Sequence, residues 1–84
     1  MKQVLVIQEK DLDDNEQSVI GVADSVEKAE EVINKYYGEH KELSRHKADE
    51  DPDLEYIKTL EVKGAWREPY KVQIRLDWFE INRV

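Results

Sequence analysis

Acidic side chains crowd one short stretch of this chain, KDLDDNEQ, from Lys10 to Gln17. Carboxylate oxygens at alternate positions can hold Ca²⁺, and an EF-hand loop places ligands at its positions 1, 3 and 5. A loop that starts at Asp11 has side-chain oxygens at these three positions, from Asp11, Asp13 and Asn15. However, it has Glu16 where the sharp turn needs Gly, and Val22 where the bidentate Glu belongs. The stretch therefore predicts a solvated hairpin loop and not a metal site.

Other catalytic or metal chemistry finds little support in the residue types. His40 and His46 are the two histidines, and a zinc site would need carboxylates from elsewhere because there is no cysteine. The chain has no glycine-rich phosphate motif, and its serines lack the context of a nucleophile elbow. With 20 acidic residues in 84, paired carboxylates carry no information. We predict that the protein is not an enzyme and has no cofactor, no metal and no catalytic residue.

One stretch, GAWREPYK from Gly64 to Lys71, carries residue types that are enriched at protein interfaces. Trp66, Arg67 and Tyr70 surround a predicted turn, and each offers a large contact area with a polar end. They are the candidate partner-binding residues. The alternative is that Trp66 folds back over one end of a small core.

The chain has a formal charge of −7, and its acidic residues cluster in short segments. Glu9–Glu16 is net −4 and Asp49–Glu55 is net −5. Such a chain is not expected to bind nucleic acid directly, because it lacks a basic footprint. Its acidic surface either keeps the protein in solution or imitates nucleic acid toward a basic protein. The candidate residues of that surface are Asp11, Asp13, Asp14, Glu16, Asp49, Glu50, Asp51 and Asp53.

The chain length predicts a single domain over residues 1–84 with a small core. The apolar run Val4–Ile7 is shorter than a signal-peptide core and far shorter than the roughly 20 residues of a membrane span. We therefore expect a cytoplasmic protein that does not enter membranes. If Val4–Ile7 or the last strand lies at a sheet edge, it can pair with a second copy, so a homodimer is an expected state.

Two short β-branched runs, Gln3–Gln8 and Ser18–Ala23, predict strands on either side of the acidic loop. A helix is predicted over about Val26–Tyr37, capped by Asp24 and stopped by Gly38. Its apolar face is expected to comprise Val26, Ala29, Val32, Ile33 and Tyr36.

The polar segment 39–53 is predicted to be a loop or a short solvated helix, and to be mobile. Leu54–Lys63 predicts a third strand. Tyr70–Trp78 alternates apolar and polar residues, so it predicts a strand with one buried and one wet face. The alternation slips by one residue at Trp78–Phe79, which predicts a bulge or bend there. The expected fold is α+β, with three or four antiparallel strands, one helix on one face and the order β-β-α-β-β.

The stretch VIGVADSVEKAEEVINKYYG, from Val19 to Gly38, resembles small phage and prophage proteins of Gram-positive hosts, most of which have no assigned function. The resemblance covers about Val4–Tyr37 and weakly the last strand. It implies the β-β-α-β-β order and a viral or mobile-element origin, and it carries over no catalytic residue.

These observations support three hypotheses. The first is a small protein-interaction module, such as a phage factor that engages a host protein through Trp66, Arg67 and Tyr70. The second is an acidic mimic of nucleic acid that occupies a DNA-binding protein. The third is a small-ligand site formed between the subunits of an oligomer.

Overall fold

Five strands and one helix make up the computed structural model, which describes residues 2–47, 50–64 and 68–81. In chain order they are β1 (Lys2–Asp11), β2 (Gln17–Ala23), α1 (Val26–Tyr37), β3 (His40–His46), β4 (Leu54–Val62) and β5 (Tyr70–Ile81).

The five strands form one antiparallel sheet in the order β2-β1-β5-β4-β3. Helix α1 packs on one face, mainly over β2 and β1. We call this face the helix side and the opposite face the open side. The α+β class is confirmed, whereas the predicted three or four strands and the order β-β-α-β-β are wrong. Strand β1, with Val4–Ile7, and most of β5 lie inside the sheet, so the edges are β2 and β3.

The alternation of apolar and polar residues in Tyr70–Trp78 corresponds to the two faces of strand β5. Val72, Ile74 and Leu76 are fully buried on the helix side, where they belong to one core cluster with the buried residues of α1, β1 and β4. The predicted bulge at Trp78–Phe79 is wrong, because β5 pairs with β1 without a register shift from one end to the other. The bulge near this point lies instead in the neighbouring strand β4, between Leu54 and Tyr56. Phe79 therefore points to the open side.

The helix follows the predicted bounds, but two of its details differ from the prediction. Ser25, not Asp24, is the N-cap, and its hydroxyl accepts a hydrogen bond from the Lys28 N–H at 3.2 Å. Tyr37 is buried whereas Tyr36 is 57% exposed, because Tyr37 continues the series of Ala29 and Ile33 at four-residue steps. Gly38 ends the helix as predicted, in the left-handed region with φ 65°.

Strand β3 is the element that the sequence did not predict. The segment 39–53 was expected to be a loop or a short solvated helix, but His40–His46 pairs with β4. This strand is almost wholly exposed, so its sequence HKELSRH has no buried face to mark it. Strand pairing with Leu54–Val62 overrides the polar composition, and charged side chains are the usual protection of an edge strand.

Candidate functional site

The predicted partner-binding residues fall mostly on a part of the chain about which the structure makes no statement. Trp66 and Arg67 lie outside the described residues. Tyr70 is half-buried at the start of β5 and packs against the core on the helix side. Their role as an interface stays a prediction.

The first acidic stretch is a hairpin loop between β1 and β2, as predicted. The Asp11 carboxylate accepts the N–H of Asp13 at 2.9 Å, and the Asp14 carboxylate accepts the N–H of Glu16 at 2.9 Å. Asn15 takes a left-handed conformation with φ 61°, which Asn tolerates better than most residues. Two of the four carboxylates therefore shape the turn, and no group of metal-ligating side chains is found in the described part of the chain.

The second acidic stretch is also built into the fold. Asp51 accepts the N–H of Asp53 at 3.0 Å and pairs with the Arg75 guanidinium at 3.2 Å. The Asp53 carbonyl accepts the N–H of Trp78 at 2.7 Å, which ties the segment to β5. Glu50 is exposed, and Asp49 lies outside the described residues.

The two acidic stretches lie at opposite ends of β5. The Leu12 N–H donates to the Lys71 carbonyl, which places the first loop near the start of that strand, whereas Asp53 bonds to Trp78 near its end. A basic strip, Lys71 and Arg75 with Gln73 between them, lies on the open side between the two stretches. The acidic residues therefore do not form one continuous surface along the open side.

The open side carries an apolar patch that the sequence reading missed. Register places Val4 across from Phe79 and Val6 across from Val22, and side chains so paired lie about 5 Å apart at Cβ. Phe79 is 49% exposed and Val22 is 59% exposed. Exposed apolar groups that cluster in this way mark interaction surfaces more often than single ones do. The apolar patch consists of Val4, Val6, Val22, Phe79 and Ile81.

The signal for this patch was present in the sequence. The slip in alternation at Trp78–Phe79 predicts a bulge or bend, after which Phe79 and Ile81 continue the apolar pattern. In an unbroken strand the same slip moves both side chains to the other face. Trp78, in contrast, lies on the helix side, half-buried against the core, with its indole N–H donating to Glu55 at 3.1 Å.

A groove of about 410 Å³ adjoins Phe79 at the end of the sheet. Asp77 in this groove is 7% exposed and is held by the Arg75 guanidinium at 2.8 Å. Asp53 and Glu80 are exposed, and neither forms an ion pair with another described residue. Acidic side chains surround Phe79 in this groove. The lining residues are Gln3, Asp51, Asp53, Asp77, Trp78, Phe79 and Glu80.

On the helix side of the sheet, an ion-pair network lies over β3 and β4, next to helix α1. Arg45 of β3 donates two hydrogen bonds to the Glu42 carboxylate, at 2.7 and 3.2 Å, and its guanidinium lies 4.3 Å from the centre of the Tyr56 ring. Glu30 of α1 accepts from the Tyr56 hydroxyl at 3.1 Å. The network therefore joins β3 and β4 to the helix.

Lys58 is the buried member of this network, with 5% of its surface exposed. Burial and the charge of Arg45 lower the pKa of its amine, while Glu42 at 3.7 Å partly offsets them. The hydrogen bonds from Arg45 lower the pKa of the Glu42 carboxyl. A lysine with a shifted pKa can serve in catalysis. The Lys58 amine, however, is surrounded by the side chains with which it interacts, so we interpret the arrangement as a structural network.

Comparison with family models, curated proteins and solved structures finds no match to this chain. No helix within the described residues is long and apolar enough to cross a membrane.

Proposed function

We propose that this protein is a small protein-binding module whose docking surface is the apolar patch on the open side of the sheet. The observation that carries this proposal is the cross-strand pairing of Val4 with Phe79, next to Val6 and Val22, on a face that the helix does not cover. Aromatic and aliphatic side chains grouped at the centre of a polar surface are the usual anchors of protein interfaces.

The chemistry around the patch indicates what the partner presents. Asp53 and Glu80 line the groove beside Phe79, and the whole chain carries a net charge of −7. A partner surface with apolar side chains and a rim of Lys or Arg complements this arrangement. The partner class is therefore a protein that is basic around its docking site. The resemblance to small phage proteins further suggests a host protein.

The nucleic-acid mimic is less favoured. A mimic needs negative charges in a continuous array like that of phosphates along a duplex. Here the two acidic stretches are separated along β5 by Lys71 and Arg75, and Asp51 pairs with Arg75.

The test is capture of partners by the immobilised protein from a lysate of the organism that encodes it, at low and at high salt. Phe79→Ser removes the centre of the patch. Leu12→Ser is the matched control, since Leu12 is also an exposed apolar side chain but lies in the hairpin loop at the other end of the sheet. A third variant, Asp53→Asn with Glu80→Gln, removes the acidic rim.

We expect one protein to be retained by wild type and by Leu12→Ser and to be lost with Phe79→Ser. The rim variant should weaken its capture, mainly at low salt, because exposed charges act over distances that salt screens. Capture that Phe79→Ser leaves intact would refute the proposed surface. A partner that is a DNA-binding protein, released by salt and insensitive to Phe79→Ser, would favour mimicry instead.

A further inference from the structure

The two edges of the sheet differ in how well they are protected. Strand β3 carries Lys41, Glu42 and Arg45, and charges on an edge strand discourage pairing with other chains. Strand β2, with the sequence QSVIGVA, has no charge and no proline along its length. Among the described residues, no strand pairs with the outer backbone groups of β2. The β2 edge is therefore open to pairing with a further strand.

Exposed apolar side chains flank this edge on both faces. Among the described residues the most exposed large hydrophobics are Val19, Val22 and Tyr36. Val19 and Val22 belong to β2 and point to the open side. On the helix side, Val32 lies directly over Gly21 of β2, and Tyr36 follows Val32 by one helical turn. The apolar surface around the edge would be covered by a partner that adds a strand and a helix together.

The charged side chains beside this edge can pair with those of a second copy of the chain. Asp24, Lys28 and Glu31 line one groove with Val22 and Val32. Lys35 follows Glu31 by one turn, so the charges alternate in sign. A two-fold axis perpendicular to the sheet sets two copies of the helix antiparallel. This arrangement can pair Lys28 with Glu31 of the other copy, because that pair is centred between Ala29 and Glu30.

The spacing fits the same arrangement. Paired strands lie about 4.8 Å apart, and α1 packs over both β2 and β1. Two such helices on either side of a β2–β2 pair would be separated by about 10 Å, which is a normal distance for packed helices. We infer that the chain forms a two-fold dimer, in which the β2 edges of two copies pair antiparallel and their helices pack side by side.

The inference is tested by analytical ultracentrifugation over a range of protein concentrations. Val19→Lys places a charge at the pairing edge. Leu43→Lys is the matched control, because Leu43 is also an exposed apolar side chain but lies on the other edge strand, β3. Lys28→Glu and Glu31→Lys are made singly and together, and circular dichroism establishes that each variant is folded.

We expect wild type and Leu43→Lys to sediment as dimers. Val19→Lys and each single charge reversal should raise the dimer dissociation constant by about tenfold or more, because each reversal sets like charges against each other twice. The double reversal should restore the dimer, since the pairs are re-formed with exchanged signs. A monomeric wild type would overturn the inference. So would a dimer that is unaffected by Val19→Lys, or single reversals that the double reversal fails to rescue.

Discussion

Val4 of β1 and Phe79 of β5 are direct cross-strand partners on the side of the sheet that the helix leaves open. Their neighbours Leu5 and Trp78 form the adjacent pair on the other face, where they pack in or against the core. One pair of strands thus supplies part of the core of the protein and the centre of its proposed docking surface.

The first prediction separates these two roles by their effect on stability. Phe79→Ser should change the free energy of unfolding by less than about 1 kcal/mol, because half of the side chain is already in water. Ile74→Ala should cost about 2–5 kcal/mol, because Ile74 is fully buried. Urea denaturation of both variants checks this. A loss for Phe79→Ser as large as that for Ile74→Ala would mean that Phe79 is in the core.

The second prediction concerns the start of the helix. Ser25→Ala should lower the free energy of unfolding by about 1 kcal/mol, because the Ser25 hydroxyl satisfies the Lys28 N–H. Asp24→Ala is the control and should cost clearly less, because Asp24 is not the capping residue. Thermal denaturation of the two variants compares them. The reverse order of stabilities would assign the cap to Asp24.

The third prediction concerns acid pH. Arg45 lowers the pKa of Glu42 below its ordinary value of 4.5, so the folded chain holds this carboxylate ionised more readily than the unfolded chain does. The stability it contributes is present in full above about pH 4.5 and is lost as the pH falls through the lowered pKa. Glu42→Gln should therefore be less stable than wild type at neutral pH, and the difference should shrink in acid.

Glu39→Gln provides the control for this pH series. Glu39 lies next to the same strand and is largely exposed, with a long ion pair of 4.0 Å to Lys63. Its removal should have little effect at any pH, because exposed ion pairs contribute little. Denaturation curves at several pH values measure both variants. A Glu42→Gln difference that does not depend on pH would contradict the assignment.

The fourth prediction concerns alkaline pH. Burial, with the hydrogen bond to Glu9, raises the pKa of the Tyr37 hydroxyl above its ordinary value of 10.0. The stability this gives is complete below about pH 10 and is lost as the pH rises toward the raised pKa. Wild type should lose stability above pH 10 more steeply than Tyr37→Phe. The near-ultraviolet absorbance of tyrosinate, followed with unfolding, measures this, and equal slopes for the two proteins would contradict it.

The parts of the fold that could be predicted are those with a buried face. Val72, Ile74 and Leu76 alternate with polar residues because one side of β5 is packed and the other is wet, so the strand was predicted correctly. The helix between Ser25 and Gly38 was predicted because its apolar residues recur at helical spacing and this spacing ends at Gly38.

The parts that were missed depend on tertiary context. Strand β3 has no buried face, so His40–His46 carries no periodic signal, and its state depends on pairing with β4. Tyr36 and Tyr37 are equivalent in type, and Tyr37 is the buried one because the face of the helix that packs on the sheet is that of Ala29 and Ile33. The apolar patch was overlooked for a related reason: the exposed Phe79 and Ile81 follow a buried series, and a bulge would also account for their spacing.

The most direct test of the proposed docking surface is site-specific photocrosslinking in the cells that make this protein. A photoreactive phenylalanine analogue is placed at position 79 in one variant and at position 12 in another, and the adducts are identified by mass spectrometry. We predict a discrete adduct from position 79 with one protein other than this chain, and no such adduct from position 12. Equal, diffuse labelling from both positions would contradict it.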